Sequence, residues 1–389
     1  MQYRHNFDEV INRRGTDSGK WNMFPEELLP MWVADTDFAC PQPILNALKK
    51  RIDHKILGYP IVLDSFGKAA QYWFSLRHHV DIDAEAAVYI PTILLGMLEC
   101  LIAFTREQDE ILVFSPQYTA FFEAIENTNR VRVFSHLAEK NGRYEIDFAD
   151  FEEKLAREKV KLFFLCNPHN PTGQVWSKEE VSKIAELCLK HNVLIVSDDI
   201  YSDYVYKPYT YTPVISVSEE AKEQFILLIN PSKTFNIPGL RAACAIIHNE
   251  SLRDTFKKSL RRRKTAEPNL LGVVAFESAY TECAWYVDEL LDYVEKNIDY
   301  ALAFIQEKMP KIKVRKPEGT LLLWLDMRAM FETQEEADKF MLEKAHVLLN
   351  SGKEYGIEGT KFFRMNIAVP RTILEEALTR IYSAYQECF

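Results

Sequence analysis

Several features are missing from this sequence of 389 residues, and each absence argues against a class of protein. Its seven cysteines include no C-x-x-C pair, which favours reduced, packed thiols of a cytoplasmic protein over a disulfide framework. Positive charge is not in excess, because the formal net charge is −10, and this disfavours a general binder of nucleic acid or of anionic membranes. The polar first residues contain no apolar core of a signal peptide.

A long uninterrupted apolar run is also missing. The most apolar span, Ala87 to Phe104, contains Pro91 and Glu99, so a strand, a turn and a buried helix fit it better than a membrane helix. No internal repeat, low-complexity tract or glycine- and serine-rich linker divides the chain. The length allows two domains, which we expect to pack closely.

What is present in the middle of the chain is an alternation of short apolar runs with amphipathic helical segments such as Lys178–His191. The predicted strands are Ile111–Ser115, Val131–Ser135, Val160–Cys166, Val193–Ser197, Phe225–Ile229 and Ala242–His248. This alternation predicts an α/β fold with a mainly parallel sheet.

The pattern changes after about Glu282. The predicted elements there are helices over Trp285–Lys308, Glu335–Leu349 and Thr372–Gln386, with strands inside Lys313–Asp326 and Phe362–Ala368. They indicate a smaller α+β unit. We therefore predict a large α/β domain over residues 45–282 and a small domain formed by residues 1–44 and 283–389.

One lysine directly follows a buried-looking strand and precedes an arginine. Phe225–Ile229 leads through Asn-Pro-Ser to Lys233, and Arg241 stands eight residues later. A lysine in this place suits covalent attachment of pyridoxal 5′-phosphate (PLP), and the arginine suits its phosphate. A solvated loop lysine is the commoner case in proteins. PLP is preferred here because other segments supply the remaining parts of such a site.

An acid suited to the cofactor's ring nitrogen follows another strand. Val193–Ser197 leads into Asp198 and Asp199, at the edge where α/β sheets bind ligands. An ionised carboxylate keeps the ring nitrogen protonated and makes the ring an electron sink. Strand alternation aims the two side chains differently, and we assign the role to Asp198. Taken alone, an aspartate after a strand is often only a helix cap.

A rigid turn follows the strand Val160–Cys166. It reads Asn-Pro-His-Asn-Pro-Thr-Gly from Asn167 to Gly173, and its two Asn-Pro pairs can hold the amide of Asn170 over the cofactor. We expect Asn170 to hydrogen-bond the phenolic oxygen of PLP, with Tyr201 as a second donor. Together they would stabilise the phenolate.

These motifs carry a family resemblance. The chain resembles the fold-type I PLP enzymes of the aminotransferase class I/II superfamily in three motifs, which follow in this order: N-P-x-N-P-T-G, D-x-x-Y and S-K-x-x-x-x-x-G-x-R. Other segments are similar to its cystathionine β-lyase (C–S lyase) branch, often called MalY/PatB-like: Phe7–Trp21, Leu29–Phe38, Gly58-Tyr59, His169, Pro317–Asp326 and Phe363–Arg371. The resemblance covers essentially the whole chain. It implies a sheet of the seven-stranded type, an amino-acid substrate and a homodimer with shared active sites.

The resemblance also implies roles for single residues. Arg364 matches the arginine that binds the substrate α-carboxylate, and Asn170 and Ala34 match positions of the substrate pocket. Tyr118 matches the aromatic residue that stacks on the cofactor ring. The cofactor phosphate is expected at Thr92, Ile93, Leu94, Ser232 and Arg241, and at Tyr59 of the neighbouring subunit. No metal is expected.

The reaction is less firmly indicated than the cofactor. Thr172 and Tyr201 resemble aminotransferases, because the lyases tend to have valine and histidine there; Thr36 and Leu321 also depart from the lyase pattern. We predict a β-lyase that releases pyruvate, ammonia and a thiol from L-cystathionine or an S-substituted L-cysteine, because the sequence shows no dedicated arginine for an acidic amino-group donor. The alternatives are a class I/II aminotransferase and a PLP-binding regulator, although no helix-turn-helix extension is attached.

Overall fold

The computed structural model describes residues 4–265 and 267–388. The strands, in chain order, are β1 (Leu29–Pro30), β2 (Ala87–Ile90), β3 (Glu110–Ser115), β4 (Val131–His136), β5 (Ala138–Lys140), β6 (Arg143–Glu145), β7 (Val160–Cys166), β8 (Leu194–Asp198), β9 (Ile226–Ile229), β10 (Ala243–Ile246), β11 (Lys313–Val314), β12 (Leu322–Asp326), β13 (Val347–Leu348), β14 (Asn350–Ser351) and β15 (Phe362–Asn366). The α-helices are α1 (Gly19–Asn22), α2 (Gln42–Asp53), α3 (Asp64–Trp73), α4 (Ile93–Phe104), α5 (Thr119–Glu126), α6 (Phe148–Leu155), α7 (Lys178–Lys190), α8 (Glu219–Gln224), α9 (Ser232–Phe235), α10 (Glu250–Arg263), α11 (Leu270–Glu282), α12 (Ala284–Lys308), α13 (Gln334–Lys339) and α14 (Arg371–Cys388).

The largest sheet has seven strands in the order β2-β10-β9-β8-β7-β3-β4. Neighbouring strands from β9 to β4 are parallel, whereas β10 runs antiparallel to both β9 and β2. The carboxyl ends of the other six strands therefore meet at one edge. The prediction of an α/β fold with a mainly parallel sheet is confirmed, and this edge is where such sheets bind ligands.

Helices cover both faces of this sheet because its inner strands are apolar on both sides. All residues of β3 and of β9 are buried. Met97 of α4 and Phe256 of α10 belong to the core on one face, and Ile184 of α7 and Phe276 of α11 belong to the core on the other. Continuous apolar strands are expected where a parallel sheet is covered on both faces.

The apolar span from Ala87 to Phe104 forms β2, a turn and α4, as predicted. Its buried Glu99 accepts hydrogen bonds from the Arg263 Nε at 3.1 Å and from the Thr265 hydroxyl at 2.7 Å, so its charge is paired within the fold. Among the described residues, no helix has the length and apolar character needed to cross a membrane.

A second sheet is antiparallel, with the order β11-β12-β15-β14. In it, Arg364 of β15 lies opposite Trp324 of β12 and opposite Asn350 of β14. The N-terminal segment joins this part of the molecule, because β1 pairs in parallel with β13. The Asn366 amide also donates to the carbonyls of Val33 and Asp35, each at 2.7 Å. The segment before α2 is thereby fixed beside β15.

The predicted helix over Glu335–Leu349 is wrong in its second half. A capping box of Thr333 and Glu336 starts α13 as expected, but the helix ends at Lys339, a π-helical turn follows over Phe340–Lys344, and β13 comes next. His346 has a left-handed φ of 51°, which stops helical continuation. The apolar residues after it then pair with β1 instead of forming a helical face.

A buried group of charges fastens the N-terminal segment. The carboxylate of Asp37 accepts hydrogen bonds from the Lys20 amine at 2.8 Å, the Arg13 guanidinium at 2.6 Å and the Trp21 indole at 2.9 Å. Asp37 is buried, which opposes its ionisation, but Lys20, Trp21 and Arg13 outweigh burial and hold its pKa below the usual range. The segment that carries Trp32 to Ala34 depends on this pairing for its position.

We therefore expect Asp37→Asn to lower the free energy of unfolding by about 3 kcal/mol, because the buried Lys20 charge loses its nearer carboxylate, at 2.8 Å, and is left with Asp35 at 3.9 Å. Denaturant unfolding followed by far-UV circular dichroism measures the change. The control is Glu335→Gln, which removes the exposed pair of Glu335 with Lys339 and should cost less than about 1 kcal/mol. Equal effects of the two substitutions would contradict the role given to Asp37.

Candidate active site

Five strand ends lead into one cavity of about 350 Å³. It lies beyond the carboxyl ends of β2, β3, β7, β8 and β9, which is the edge where the parallel strands end. Eleven of the residues proposed from the sequence line it: Ala34, Thr92, Ile93, Leu94, Tyr118, Asn170, Asp198, Tyr201, Ser232, Lys233 and Arg364. Residues more than 300 positions apart in the chain are thus brought to one place.

Lys233 stands on the short helix α9, four residues after the end of β9. Its amine forms no hydrogen bond or ion pair with any residue that the structure describes. Removal from water, together with the nearby Arg364 charge, lowers the pKa of Lys233 to about 8, although Asp35 and Asp198 oppose the shift. An amine with this pKa is partly uncharged near neutral pH, so it can act as a nucleophile or a base.

Asp198 is the last residue of β8 and is 5% exposed. Its Oδ1 accepts the Ile200 N–H at 3.1 Å. Burial raises the pKa of Asp198 to about 7, although the Ile200 N–H and the Lys233 charge act in the opposite direction. A carboxyl group in this state becomes stably ionised when a further cation is placed beside it.

Asp199 has a different environment and does not line the cavity. Its carboxylate accepts hydrogen bonds from the hydroxyls of Ser197 and Tyr211. Burial nevertheless raises the pKa of Asp199 to about 8. Both oxygens are engaged by hydroxyls inside the protein, and Asp199 does not face a ligand in the cavity.

Arg364 joins three parts of the chain at the cavity wall. Its Nη1 donates to Asn170 at 3.1 Å, and its Nη2 donates to the Trp32 carbonyl at 2.9 Å and to Asn350 at 2.7 Å. The guanidinium carbon lies 5.4 Å from the centre of the Tyr355 ring. The buried Nε has no acceptor among the described residues, so this donor remains available to a bound anion.

The N-terminus of α4 offers a second place for an anion. The Thr92 hydroxyl accepts the Leu95 N–H at 3.1 Å, and the first amides of the helix, at Ile93 and Leu94, have no intrahelical acceptor. Those amides and the positive end of the helix dipole suit a phosphate. Ser232 also lines the cavity, and its N–H donates to the Asn230 Oδ1 at 2.8 Å.

Two aromatic hydroxyls border the cavity. Tyr201 is buried, and burial raises its pKa above the ordinary range, so its hydroxyl keeps its proton and can donate a hydrogen bond. Tyr118 is 37% exposed and presents its ring at the cavity. Asn170 already accepts from Arg364, which leaves its amide protons free to donate to a ligand.

Two residues proposed from the sequence do not line the cavity of the single chain. Arg241 has an exposed side chain and a left-handed φ of 48°, and its carbonyl accepts the Tyr89 hydroxyl at 2.7 Å. Tyr59 is fully exposed. Their assignment to the cofactor phosphate stays a prediction.

Sequence reasoning missed Asn350 and Tyr355. Asn350 binds Arg364, and Tyr355 packs against the same guanidinium. Both follow the segment that was wrongly predicted as one helix to Leu349. The run Asn350-Ser351-Gly352 is a turn signal, but it begins only after Leu349 and gives no reason to end the helix before that residue. Trp32 and Val33, beside the proposed Ala34, also line the cavity.

The residues of the cavity fit PLP. The cofactor carries an aldehyde, a ring nitrogen, a phenolic oxygen and a phosphate, and the cavity offers respectively Lys233, Asp198, Tyr201 with Asn170, and the α4 amides. The buried Asp198 is the test of this fit. Burial raises its pKa to about 7 despite the Lys233 charge, and a protonated ring nitrogen would supply the cation that favours its ionised form.

Comparison with known proteins agrees with this geometry. The family model for aminotransferase class I and II matches residues 33–381. Cystathionine β-lyase PatB of Bacillus subtilis (strain 168) is 39% identical over 384 residues, which cover 97% of this chain and 99% of PatB.

Two solved structures are similar over nearly the whole chain. One is a PLP-bound protein from Clostridium difficile 630, provisionally named an aminotransferase. It is 38% identical with a TM-score of 0.96, and the match covers 98% of this chain and 100% of that protein's chain. Cystalysin from Treponema denticola, which contains PLP, is 32% identical with a TM-score of 0.95, covering 100% of both chains.

Fold and cavity together define a fold-type I enzyme, as the sequence motifs predicted. The chain belongs to the aminotransferase class I and II family.

We expect Asp198→Asn to slow exchange of the α-proton of a substrate amino acid about 100-fold, because the substitution removes the negative charge that stabilises the electron sink. Proton NMR in deuterated water measures this exchange with the PLP-loaded protein. Asp199→Asn is the matched control and should stay close to wild type, since the Asp199 carboxylate accepts from Ser197 and Tyr211 and does not line the cavity. The reverse order of the two effects would transfer the role to Asp199.

Proposed function

We propose that this chain is a PLP-dependent carbon–sulfur β-lyase. It converts L-cystathionine, or an S-substituted L-cysteine, and water into pyruvate, ammonia and a thiol. The single observation that carries the choice of reaction is the 39% identity to cystathionine β-lyase PatB over 97% of the chain. The cavity supports it, because a lysine of lowered pKa and an arginine with an unused donor are what an amino-acid substrate requires.

The residues have separate tasks in this reaction. PLP, when bound, supplies the sink for the electron pair that remains when the substrate α-carbon loses its proton. Arg364 binds the substrate carboxylate and fixes its orientation, for which its free Nε is suited. Lys233 removes the α-proton, since its pKa of about 8 makes it a usable base near neutral pH. The thiolate then leaves from the β-carbon, and water releases the product as pyruvate and ammonia.

The aminotransferase alternative has one specific observation in its favour. Tyr201, which is an aminotransferase-like residue in the sequence, lines the cavity together with Asn170. Against it, Arg364 is the one arginine that lines the cavity among the described residues, so no second guanidinium is available there for an acidic amino-group donor. Elimination requires the Cα–H bond and the Cβ–S bond both to be held in the reactive orientation at once, whereas transamination requires this of the Cα–H bond alone. The products distinguish the two reactions.

We expect the PLP-loaded enzyme to release equal amounts of pyruvate and homocysteine from L-cystathionine with no added keto acid. Coupled lactate dehydrogenase measures the pyruvate, and a thiol reagent measures the homocysteine. Lys233→Ala should abolish both products, because both follow removal of the α-proton. Turnover that requires a keto acid and yields a new amino acid without free thiol would establish the aminotransferase reaction instead.

We also propose a homodimer with shared active sites. The support is an apolar surface around Tyr59, in which large side chains are at least half exposed: Ile52, Ile56, Leu57, Tyr59, Ile61 and Leu63. An exposed patch of this kind is typical of a contact between proteins. A second copy of the chain is the proposed occupant, and Tyr59 of each copy would complete the phosphate site of the other.

Mixed dimers test this arrangement. Lys233→Ala and Tyr59→Ala chains should each be inactive as homodimers, yet co-expression should restore up to about a quarter of wild-type activity, because half of the dimers are mixed and each contains one intact site. The control is co-expression of Lys233→Ala with Asp198→Asn. Both of those residues belong to the same chain's cavity, so no intact site forms. Full activity of Tyr59→Ala alone, or of a monomer, would contradict the shared site.

We propose the cytoplasm as the compartment of the enzyme. All seven cysteines are free thiols, and five of them are fully buried. Thiols of this kind are typical of a reducing environment.

A further inference from the structure

Lys233 is held by a very short helix. α9 has four residues, so its own backbone hydrogen bonds fix little of its position. Catalysis nevertheless demands precision, since a displacement of about 1 Å can reduce a rate about 100-fold. Other contacts must therefore fix the backbone at Lys233, and two consecutive residues of the segment after β8 provide them.

The first is Asp203, a buried residue whose carboxylate accepts two hydrogen bonds and has a histidine beside it. The hydroxyl of Thr234, the residue next to Lys233, donates to its Oδ2 at 2.8 Å. The indole of Trp73 donates to its Oδ1 at 3.0 Å, and the His78 Nε2 lies 3.4 Å from the same oxygen. Burial opposes ionisation, but His78 and Thr234 outweigh it and hold the pKa of Asp203 below its usual range.

The second is Tyr204, which is fully buried. Its hydroxyl donates to the backbone carbonyl of Lys233 at 3.0 Å. Asp203 and Tyr204 therefore hold α9 at two consecutive residues, one through a side chain and one through the main chain. The segment that bears Asp198 and Tyr201 in the cavity thus also holds the lysine that faces them.

We propose that Asp203 and Tyr204 are positioning residues for Lys233. They touch neither substrate nor cofactor, and they act by fixing the backbone from which the Lys233 amine reaches the cavity. The effect on turnover rests on the proposed β-lyase function, whereas the placement of the amine is measured independently of the reaction.

The chain offers a matched pair for the test. Tyr204→Phe removes the hydrogen bond to the Lys233 carbonyl, and Tyr206→Phe removes an equivalent bond from another buried tyrosine to the Thr320 carbonyl at 2.7 Å. Tyr204→Phe should lower kcat for pyruvate release about tenfold with KM within about twofold. Tyr206→Phe should retain kcat, although both variants lose a buried hydrogen bond.

A second readout does not depend on turnover. Purified protein is mixed with PLP, treated with borohydride at short intervals, and digested, and mass spectrometry measures the fraction of the Lys233 peptide that carries the cofactor. Tyr204→Phe should label at least about fivefold more slowly than Tyr206→Phe. If the wild-type enzyme released no thiol from any substrate, the β-lyase proposal would fail while this comparison still tested the positioning.

Thr234 gives a further, conservative test of Asp203. Thr234→Val removes the donor to Asp203 while keeping the shape of the side chain, and Thr234→Ser restores a hydroxyl. We expect Thr234→Val to lower kcat and labelling as Tyr204→Phe does, and Thr234→Ser to recover most of both. Equal rates for Tyr204→Phe and Tyr206→Phe, or failure of Thr234→Ser to recover a loss seen in Thr234→Val, would overturn the proposal.

Discussion

The hydrogen bonds of Arg364 connect the three parts of the chain that form the cavity. One guanidinium contacts the N-terminal segment through Trp32, the turn after β7 through Asn170, and the edge strand β14 through Asn350. A planar group with five N–H donors can make these three contacts and still keep two donors, which a lysine could not do in the same geometry. The acceptors hydrogen-bonded to this buried charge are themselves neutral, so a substrate carboxylate would bring a full counter-charge into direct contact with it.

The electrostatics of the cavity follow from that arrangement. Arg364 and burial both lower the pKa of Lys233, and burial alone raises that of Asp198, so the two groups are held near the point where each changes its charge. Neither is neutralised by a direct ion pair with the other. Such pairs of groups with displaced pKa values are typical of sites that move protons. Asp203 differs, because its donors keep it ionised and fix it in place, which suits a structural anchor rather than a reacting group.

Much of the site could be predicted from the sequence because its residues follow strands. The parallel sheet puts the ends of β7, β8 and β9 at one edge, and the motifs at Asn170, Asp198 and Lys233 each stand directly after one of these strands. Asn350 and Tyr355 could not be found in this way, because their positions depend on the early end of α13 at Lys339, on the left-handed His346 and on pairing of β13 with β1. Tertiary pairing overrode the local helical pattern there. The motifs also could not predict that Tyr59 and Arg241 are exposed in a single chain.

The segment from Asp198 to Tyr206 contributes residues to the cavity, to the contacts that hold α9 and to the packing of the fold. Asp198 and Tyr201 face the cavity, Asp203 and Tyr204 hold α9, and the Tyr206 hydroxyl donates to Thr320, in the loop before β12. Because consecutive turns of the segment face different neighbours, Asp203 and Tyr204 can hold α9 while Asp198 and Tyr201 face the cavity. Substitutions that leave the cavity unchanged can therefore alter the reaction through the position of Lys233. The choice between elimination and transamination depends on the same precision, since elimination needs two substrate bonds aligned at once.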